Sequence, residues 1–192
     1  MVRLFVIDTE TGGVDPAKFS LLTFAGAVWE DGRILDTIEF SVREPRVRVE
    51  PEAMLINRID LVAHKKAGIS PAAAILLIND LLDRYFGEEP VTIAGHNVNF
   101  DIGFLRRLYR LAKEDYPSRF SRRHIDTASI LGFLNICGLI SIPKPSLDNA
   151  LAEFGITYAA ESRHTALGDV VMTCELINKM KVLVLSARPN SG

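Results

Sequence analysis

Residues 4–13 read LFVIDTETGG, and they contain the clearest structural signal in the sequence. The run from Leu4 to Ile7 is apolar and rich in β-prone side chains, which predicts a buried strand. Side chains two residues apart on a strand point to the same face, so Asp8 and Glu10 project together from the end of this strand. A pair of like charges there repels unless a divalent cation lies between them. We therefore interpret the two acids as part of a cation site rather than as a solvated strand end.

The rest of the chain alternates strands and helices in a pattern typical of a mixed α/β domain. Residues 21–29 and 34–42 are further strand candidates, and the turn signal Asp31-Gly32 between them predicts an antiparallel hairpin. Apolar periodicity and capping residues predict the remaining elements, which are helices over 51–58, 70–86, 100–111, 126–136, 146–154 and from about 165 onward, and strands over 91–94 and 123–125. We expect helices to flank a central sheet, because strands come first and then alternate with helices.

The composition fits a single packed domain of ordinary size. The chain has 192 residues, of which 48% are hydrophobic and 24% are charged. We expect one domain over residues 1–185 and a flexible tail over 186–192, because the tail is polar and contains proline and glycine. No apolar run approaches the ~18–20 residues of a membrane span, and the N-terminus lacks the pattern of a secretion signal. A cytoplasmic location without membrane contact is therefore expected.

The charge and the cysteines argue against two kinds of protein. The formal net charge is −2, which does not suit a nucleic-acid coat protein, since such binding depends on lysine and arginine neutralising phosphates. An enzyme that holds a few nucleotides stays compatible with this charge, because bound cations can supply local positive charge. Cys137 and Cys174 lie in apolar, helix-like stretches, so we interpret both as buried small hydrophobes rather than as a disulfide or a metal pair.

Two further acids and a histidine lie at the ends of predicted elements. Asp101 closes the segment HNVNFD after the fourth strand, and Asp169 closes RHTALGD in the first turn of the last helix. Taken singly, each acid equally fits a helix-dipole role, and His164 equally fits a surface position. A spacing of five residues does not give one helical face, so we place His164 in the loop before Asp169. With the first two acids, these residues occupy strand exits and a helix entry, where α/β sheets place active sites.

The five residues fall into three motifs that resemble those of the DEDDh superfamily of 3′–5′ exonucleases. The motifs are Asp8-x-Glu10, His96-Asn97-x-x-Phe100-Asp101 and His164-x4-Asp169, in the order of the superfamily and over almost the whole chain. The stretches FDIGF at residues 100–104 and SLDNAL at residues 146–151 look most like the proofreading (epsilon) subunit of bacterial DNA polymerase III. The resemblance implies a ribonuclease H-like fold, with a central mixed sheet of about five strands flanked by helices.

The resemblance also implies a role for each motif residue. Asp8, Glu10 and Asp169 would hold one divalent cation, and Asp8 would bridge to a second cation that Asp101 supports. Hard carboxylate ligands suit Mg²⁺ or Mn²⁺. Two such ions can stabilise the attacking and the leaving oxygen of a phosphodiester displacement, with His164 as general base on the water. The expected products are nucleoside 5′-monophosphates and a strand shortened at its 3′ end.

Substrate contacts are implied at further positions in three segments of the chain. They are Thr11 and Gly12 at the terminal nucleotide, Val14 as an apolar wedge between bases, Glu52 and Asn57 at the terminal sugar, and Asn97 and Phe100 in the second motif. Gly12 departs from the family pattern, where Thr is common, and Asn57 replaces a His. Among the arginines, those at 43, 46, 48, 119, 122 and 123 are predicted phosphate contacts, whereas Arg106, Arg107 and Arg110 are predicted to form a solvated helix face.

The expected partner is a single-stranded 3′ end, with DNA proofreading or repair as the first choice and RNA trimming as the alternative. No residue decides how a 2′-hydroxyl is treated. The sequence does not indicate whether the protein works alone or as a subunit of a DNA polymerase. It also leaves the oligomeric state open. Two other classes fit less well. A haloacid-dehalogenase-like phosphatase requires Asp-x-Asp where this chain has Glu10, and a non-catalytic binding module should have lost one of the five motif residues.

Overall fold

Five strands form one mixed sheet at the centre of the computed structural model, which describes residues 2–159 and 162–187. The strands are Arg3–Thr11 (β1), Leu21–Glu30 (β2), Arg33–Ser41 (β3), Ile93–Gly95 (β4) and Ile125–Asp126 (β5), in the spatial order β3-β2-β1-β4-β5. The helices are Pro51–Asn57 (α1), Leu61–Ala67 (α2), Pro71–Phe86 (α3), Asn99–Ala112 (α4), Thr127–Ile136 (α5), Leu147–Glu153 (α6) and Ala166–Ser186 (α7). The predicted α/β class with a mixed sheet of five strands is confirmed.

β1 lies in the middle of the sheet because it pairs on both sides. It runs antiparallel to β2 and parallel to β4, while β3 extends the sheet beyond β2 and β5 extends it beyond β4. The predicted hairpin between β2 and β3 is confirmed. Its turn residues Asp31 and Gly32 have φ values of 45° and 100°, the left-handed conformation that a two-residue turn requires. The parallel pairing brings the C-terminal ends of β1 and β4 to the same edge of the sheet.

The side chains of β1 alternate between two layers of helices. Phe5 and Ile7 are buried in the core that α3 and α4 cover. Leu4 and Val6 are buried on the opposite face, in the core that α7 covers. Because the strand period is two, the even-numbered positions at the end of β1 continue towards α7 and the odd-numbered ones towards α4. The polar end of β1 is therefore reached by the first turns of two helices that lie on opposite faces of the sheet.

The short elements differ most from the sequence predictions. β4 and β5 each lie about two residues further along the chain than the predicted strands at 91–94 and 123–125, and Val91 forms only an isolated bridge with Phe120. α2 was not predicted at all. Asp60 caps its N-terminus with a side chain that accepts hydrogen bonds from two backbone N–H groups, and the one buried residue of the helix is His64. A helix with a single buried side chain has no apolar stripe for a periodicity argument to detect.

The cysteines and the predicted tail have mixed outcomes. Cys174 is buried on α7, as predicted, but the prediction that Cys137 is buried is wrong. Cys137 is exposed because it lies at the C-terminal end of α5, beyond the last turn that packs on the core. α7 continues to Ser186, and residues 188–192 of the predicted tail lie outside the described residues, so the domain boundary stays a prediction. Within the described residues, no helix combines the length and the apolar character needed to cross a membrane.

A buried ion pair ties α4 to the neighbouring loops, so the prediction that Arg107 lies on a solvated face is wrong. Its Nε and Nη2 donate to the two carboxylate oxygens of Glu44 at 2.8 and 2.7 Å, and its Nη1 donates to the carbonyl oxygen of Pro16 at 3.0 Å. Glu44 is buried and also accepts from the backbone N–H of Leu21 at 3.0 Å. The charge of Arg107 predicted a solvated position because its partner Glu44 lies 63 residues away in the chain, where no local pattern indicates the pairing.

Replacing Glu44 by alanine should lower the free energy of unfolding by about 3–5 kcal/mol, because Arg107 would be left as an uncompensated charge in a buried position. Chemical denaturation of the variant beside the wild type measures this difference. Asp80→Ala is the matched control, since Asp80 is 69% exposed in its pair with Arg84, and surface pairs contribute at most about 1 kcal/mol. An equal loss in both variants would show that the buried pair does not hold α4 in place.

Candidate active site

Three carboxylates from β1 and α7 converge at the C-terminal end of β1. Asp8 and Glu10 continue the face of β1 that α7 covers, and Asp169 lies in the first turn of α7. One ligand atom from each of the three lies within 4.8 Å of the others. Asp169 Oδ1 is buried and accepts no hydrogen bond from the described residues. A buried, unpartnered carboxylate oxygen is costly, so this donor set fits a divalent cation bound between the three side chains.

Asp101 reaches the cluster from the opposite face of β1. It lies in the first turn of α4, and Thr9 Oγ1 donates to Asp101 Oδ1 at 2.6 Å. Both side chains are buried. Thr9 therefore orients the fourth carboxylate, a role that the sequence analysis missed. Its signal was present, because the residue between two acids on a strand points to the other face, where the helix of the second motif packs.

A single cavity of about 640 Å³ brings the predicted catalytic residues together. All five motif residues line it, namely Asp8, Glu10, Asp101, His164 and Asp169. Asn97 and Phe100 line it as well, as the second motif predicts. The cavity is also lined by three residues that no sequence pattern had indicated, namely Ile56, Lys144 and Arg163. The cavity thus combines a cluster of carboxylates with an imidazole, the groups needed for metal-assisted hydrolysis.

His164 lies in the turn before α7, as predicted, and not on the helix. It is exposed and has a φ of 62°. Thr165 closes this turn by accepting a hydrogen bond from the backbone N–H of Gly168. A Cβ on Gly168 would overlap the carbonyl oxygen of Ser162, so only glycine allows the chain to turn this tightly. The turn places the imidazole at the exposed side of the site, while Asp169 lies in the first turn of α7.

The sequence matches the family model RNase_T, described as exonuclease, over residues 5–177. The chain belongs to this exonuclease family. Among curated proteins, it is 27% identical to ribonuclease T of Wigglesworthia glossinidia brevipalpis, in an alignment that covers 92% of this chain and 85% of the relative. It is 28% identical to a DNA polymerase III subunit epsilon-like protein of Rhodobacter capsulatus. That alignment covers 88% of this chain but only 22% of the relative.

Solved structures of exonuclease I have the same fold as this exonuclease-family chain. The structure of E. coli exonuclease I in complex with a dA16 oligonucleotide gives a TM-score of 0.79 at 20% identity over 95% of this chain. Exonuclease I from Methylocaldum szegediense gives a TM-score of 0.75 at 25% identity over 99% of it. The chain spans 41% and 42% of those two proteins. The predicted ribonuclease H-like fold and membership of the DEDDh superfamily are confirmed.

Burial raises the pKa values of the acidic cluster in this exonuclease. Burial, reinforced by the charges of Asp101 and Asp169, raises the pKa of Asp8 well above its ordinary value. Burial likewise raises the pKa of Glu10 to about 8 and that of Asp101 to about 7. Carboxyl groups that hold protons at neutral pH release them when a divalent cation binds. We therefore expect metal affinity to increase as the pH rises to about 8.

Without divalent ions, the exonuclease should lose stability as the pH rises from 4.5 to about 8. Folded Glu10 keeps its proton in this window, whereas the unfolded chain releases it near the lower limit. The folded state therefore binds more protons, and stability falls as the pH rises. Melting temperatures in EDTA across the window measure the effect. Glu10→Gln, which cannot ionise, should flatten the slope, and Mn²⁺ should restore the wild type near the upper limit; equal slopes for both proteins would contradict the assignment.

Arg163 is the residue of the candidate site whose contacts the sequence indicated least. Its Nη1 donates to Asp169 Oδ2 and lies 3.3 Å from His164 Nδ1, while its Nε donates to Asp148 Oδ1 at 2.7 Å. A guanidinium is permanently charged, so it offsets part of the repulsion within the acidic cluster. Its charge accordingly lowers the pKa of Glu10, against the larger effect of burial. The only feature of the sequence that could have indicated Arg163 is its position directly before His164, the histidine of the third motif.

The other predicted substrate contacts do not line the main cavity. Thr11 is buried and its hydroxyl donates to the carbonyl oxygen of Gly13 at 2.9 Å, while the backbone N–H of Gly12 donates to Ser20. Val14 is 73% exposed, and Glu52 is exposed at the start of α1. Their contacts with a terminal nucleotide stay predictions.

Asn57 is better placed than these residues. Its Nδ2 donates to the carbonyl oxygen of Thr11 at 3.0 Å, which ties the end of α1 to the end of β1. It also lines a side cavity of about 370 Å³ together with Glu10 and His164. A sugar contact by Asn57 stays a prediction, and this position beside the acidic cluster supports it.

Proposed function

We propose that this chain is a metal-dependent 3′–5′ exonuclease that removes nucleotides one at a time from single-stranded nucleic acid and releases nucleoside 5′-monophosphates. The observation that carries the proposal is the convergence of Asp8, Glu10 and Asp169 within 4.8 Å, in one cavity with Asp101 and His164. Family membership supports the reaction type. Carboxylate oxygens as the whole donor set favour Mg²⁺ or Mn²⁺.

The proposed mechanism divides the residues into metal holders and a base. Asp8, Glu10 and Asp169 would hold one cation, and Asp8 with Asp101 would hold a second. When bound, the two ions would stabilise the attacking and leaving oxygens of the displacement. His164 would take the proton from the attacking water. Its Nδ1 faces Arg163, and because a guanidinium can only donate, that nitrogen has its lone pair directed towards the guanidinium.

Arg163 must move before His164 can act through Nδ1, because its hydrogen bond occupies the lone pair. The same guanidinium contacts Asp169, so a cation at Asp169 would repel it from both residues. Displacement of Arg163 from Asp169 would thus also free the Nδ1 of His164. Asp148, on the first turn of α6, would keep the displaced guanidinium near the site.

We propose single-stranded DNA as the preferred substrate. The structural likeness to exonuclease I in complex with a DNA oligonucleotide supports this choice. Trimming of RNA 3′ ends is the second candidate, because ribonuclease T aligns over 85% of its own length, far more than the 22% of the epsilon-like protein. A DNA polymerase as partner and a cytoplasmic location stay predictions.

The proposal is tested with 5′-labelled DNA and RNA strands of the same sequence, incubated separately with the protein and Mn²⁺. We expect a ladder that shortens from the 3′ end, mononucleotide products, and no cleavage in EDTA. A 3′-terminal inverted nucleotide should block the reaction. If the RNA strand is shortened faster than the DNA strand, the proposed preference for DNA is wrong and trimming of RNA 3′ ends takes its place. Internal cuts, or cleavage of the blocked strand, would overturn the exonuclease proposal.

A further inference from the structure

A second cavity, of about 450 Å³, lies between α4 and the loop that leads to β5. Its polar lining consists of two guanidinium groups, an imidazole, an amide and hydroxyl groups, supplied mainly by Arg106, Arg122, His124, Asn99, Tyr116 and Ser121. No Asp or Glu is among the described residues that line it. This composition is the opposite of the carboxylate-lined active site, although the whole chain has a net charge of −2.

The arginines of this basic cavity are free to bind an anion. Arg106 and Arg122 are exposed, and neither forms an ion pair with a described carboxylate. By contrast, Arg107 and Arg119 on either side are already paired with Glu44 and Asp83. Arg122 belongs to a grouping that the sequence predicts to contact phosphates, whereas Arg106 was predicted to lie on a solvated helix face.

Aromatic packing holds one of these guanidinium groups in place. The guanidinium carbon of Arg106 lies 5.1 Å from the centroid of the Tyr116 ring. Tyr116 itself packs against Phe120, with ring centroids 5.0 Å apart, and against Tyr109 at 5.6 Å. A planar guanidinium fixed over a ring loses less conformational freedom when it binds a phosphate than a free side chain does.

The basic cavity and the active site share the first turn of α4 as a common wall. Asn99 lines the basic cavity, whereas Phe100 and Asp101 line the active site. An α-helix with its side chains is about 10–12 Å wide, so the two cavities are close enough for one extended strand to enter both.

We propose that the basic cavity binds the phosphate backbone of the same single strand whose 3′ end occupies the active site. The proposal rests on the exonuclease function proposed above. Unpaired guanidinium groups beside an aromatic side chain are the chemistry that proteins use to hold single strands without sequence preference. A cavity of this size is also larger than one free phosphate requires. Strands that reach it gain affinity, and a dinucleotide confined to the active site does not.

The test uses the double variant Arg106→Gln/Arg122→Gln and compares kcat/KM for a dodecanucleotide and a dinucleotide in Mn²⁺. We expect kcat/KM for the dodecanucleotide to fall by at least ~10-fold, since each lost charge-assisted contact to phosphate is worth about that factor. The value for the dinucleotide should stay within about twofold. The salt dependence of dodecanucleotide binding should also weaken, because fewer phosphates are neutralised.

The matched control is Arg33→Gln/Lys66→Gln, which removes the same charge from exposed positions on β3 and α2, away from both cavities. If both double variants lower kcat/KM for the dodecanucleotide equally, the loss is explained by net charge alone and the proposal is overturned. Inorganic phosphate is the probe for a simple anion site. If the Arg106 and Arg122 variant loses phosphate binding but keeps dodecanucleotide affinity, the cavity is a free-anion site and the proposal fails.

Failure of the exonuclease proposal gives a different result. The wild type would then cleave neither the dodecanucleotide nor the dinucleotide. Binding of a labelled dodecanucleotide in EDTA, followed by fluorescence anisotropy, still tests the cavity in that case, because it needs no turnover. Weaker binding by the double variant than by its control would support the cavity, and equal binding would overturn it.

Discussion

Asp8→Asn should lower turnover by ~10³-fold or more, because metal ions contribute several kcal/mol of transition-state stabilisation and Asp8 would hold both of them. The substitution keeps the size of the side chain, so the loss reports charge rather than shape. Steady-state rates on single-stranded DNA in Mn²⁺ measure turnover, and titration calorimetry measures metal binding. We expect both to be lost together. A variant that keeps a tenth of the wild-type rate would remove Asp8 from the proposed mechanism.

The same variant should be more stable than the wild type in EDTA. Asp8 lies among Glu10, Asp101 and Asp169, and its buried charge is opposed by all three. In EDTA, the substitution removes a group whose ionised form is disfavoured by burial and by these neighbours, and is only partly stabilised by Arg163. A higher melting temperature together with lost turnover separates a functional defect from misfolding. Asp80→Asn, an exposed acid on α3, is the control and should change neither quantity.

His164→Ala should lower turnover by ~10²–10⁴-fold, the range expected for loss of a general base, while metal and strand binding stay mostly intact. His164 has a φ of 62°, a conformation that alanine adopts less readily than asparagine. His164→Asn is therefore the second variant, since it removes the imidazole and suits the turn. Rates and calorimetric Mn²⁺ affinity of both variants decide the role. Normal turnover in either variant would show that another group takes the proton.

The local patterns of the sequence predicted most of the fold and most of the proposed catalytic set. The apolar run before Asp8, the caps at Ser70, Asp126 and Ser146, and the Asp31-Gly32 turn all depend on neighbours a few residues away. Such neighbours determine strand period, helix starts and turns, so these elements were predicted correctly. The motif acids followed from the same logic, because strand ends and helix starts place them at one edge of the sheet.

What the sequence did not predict depends on contacts between distant segments. The pair of Arg107 and Glu44 spans 63 residues, and Thr9 meets Asp101 across 92. No local pattern distinguishes Arg107 and Glu44 from surface residues, since their polar character is the same in either place. For Thr9, strand alternation indicated the face but not the partner. Arg163 was missed for the same reason, because it lies in the turn before α7 and its partner Asp148 lies on α6. The basic cavity likewise forms only when the loop before β5 folds onto α4.

The guanidinium of Arg163 gives this fold an internal counter-charge. Part of the repulsion among the carboxylates is offset without a bound ion, because one positive group already lies against them. Loading then becomes an exchange of one cation for another, and not the assembly of a pocket around an ion. On the proposed mechanism, the folded protein would then stay inactive until divalent ions bind, and their supply would set how much of it is active.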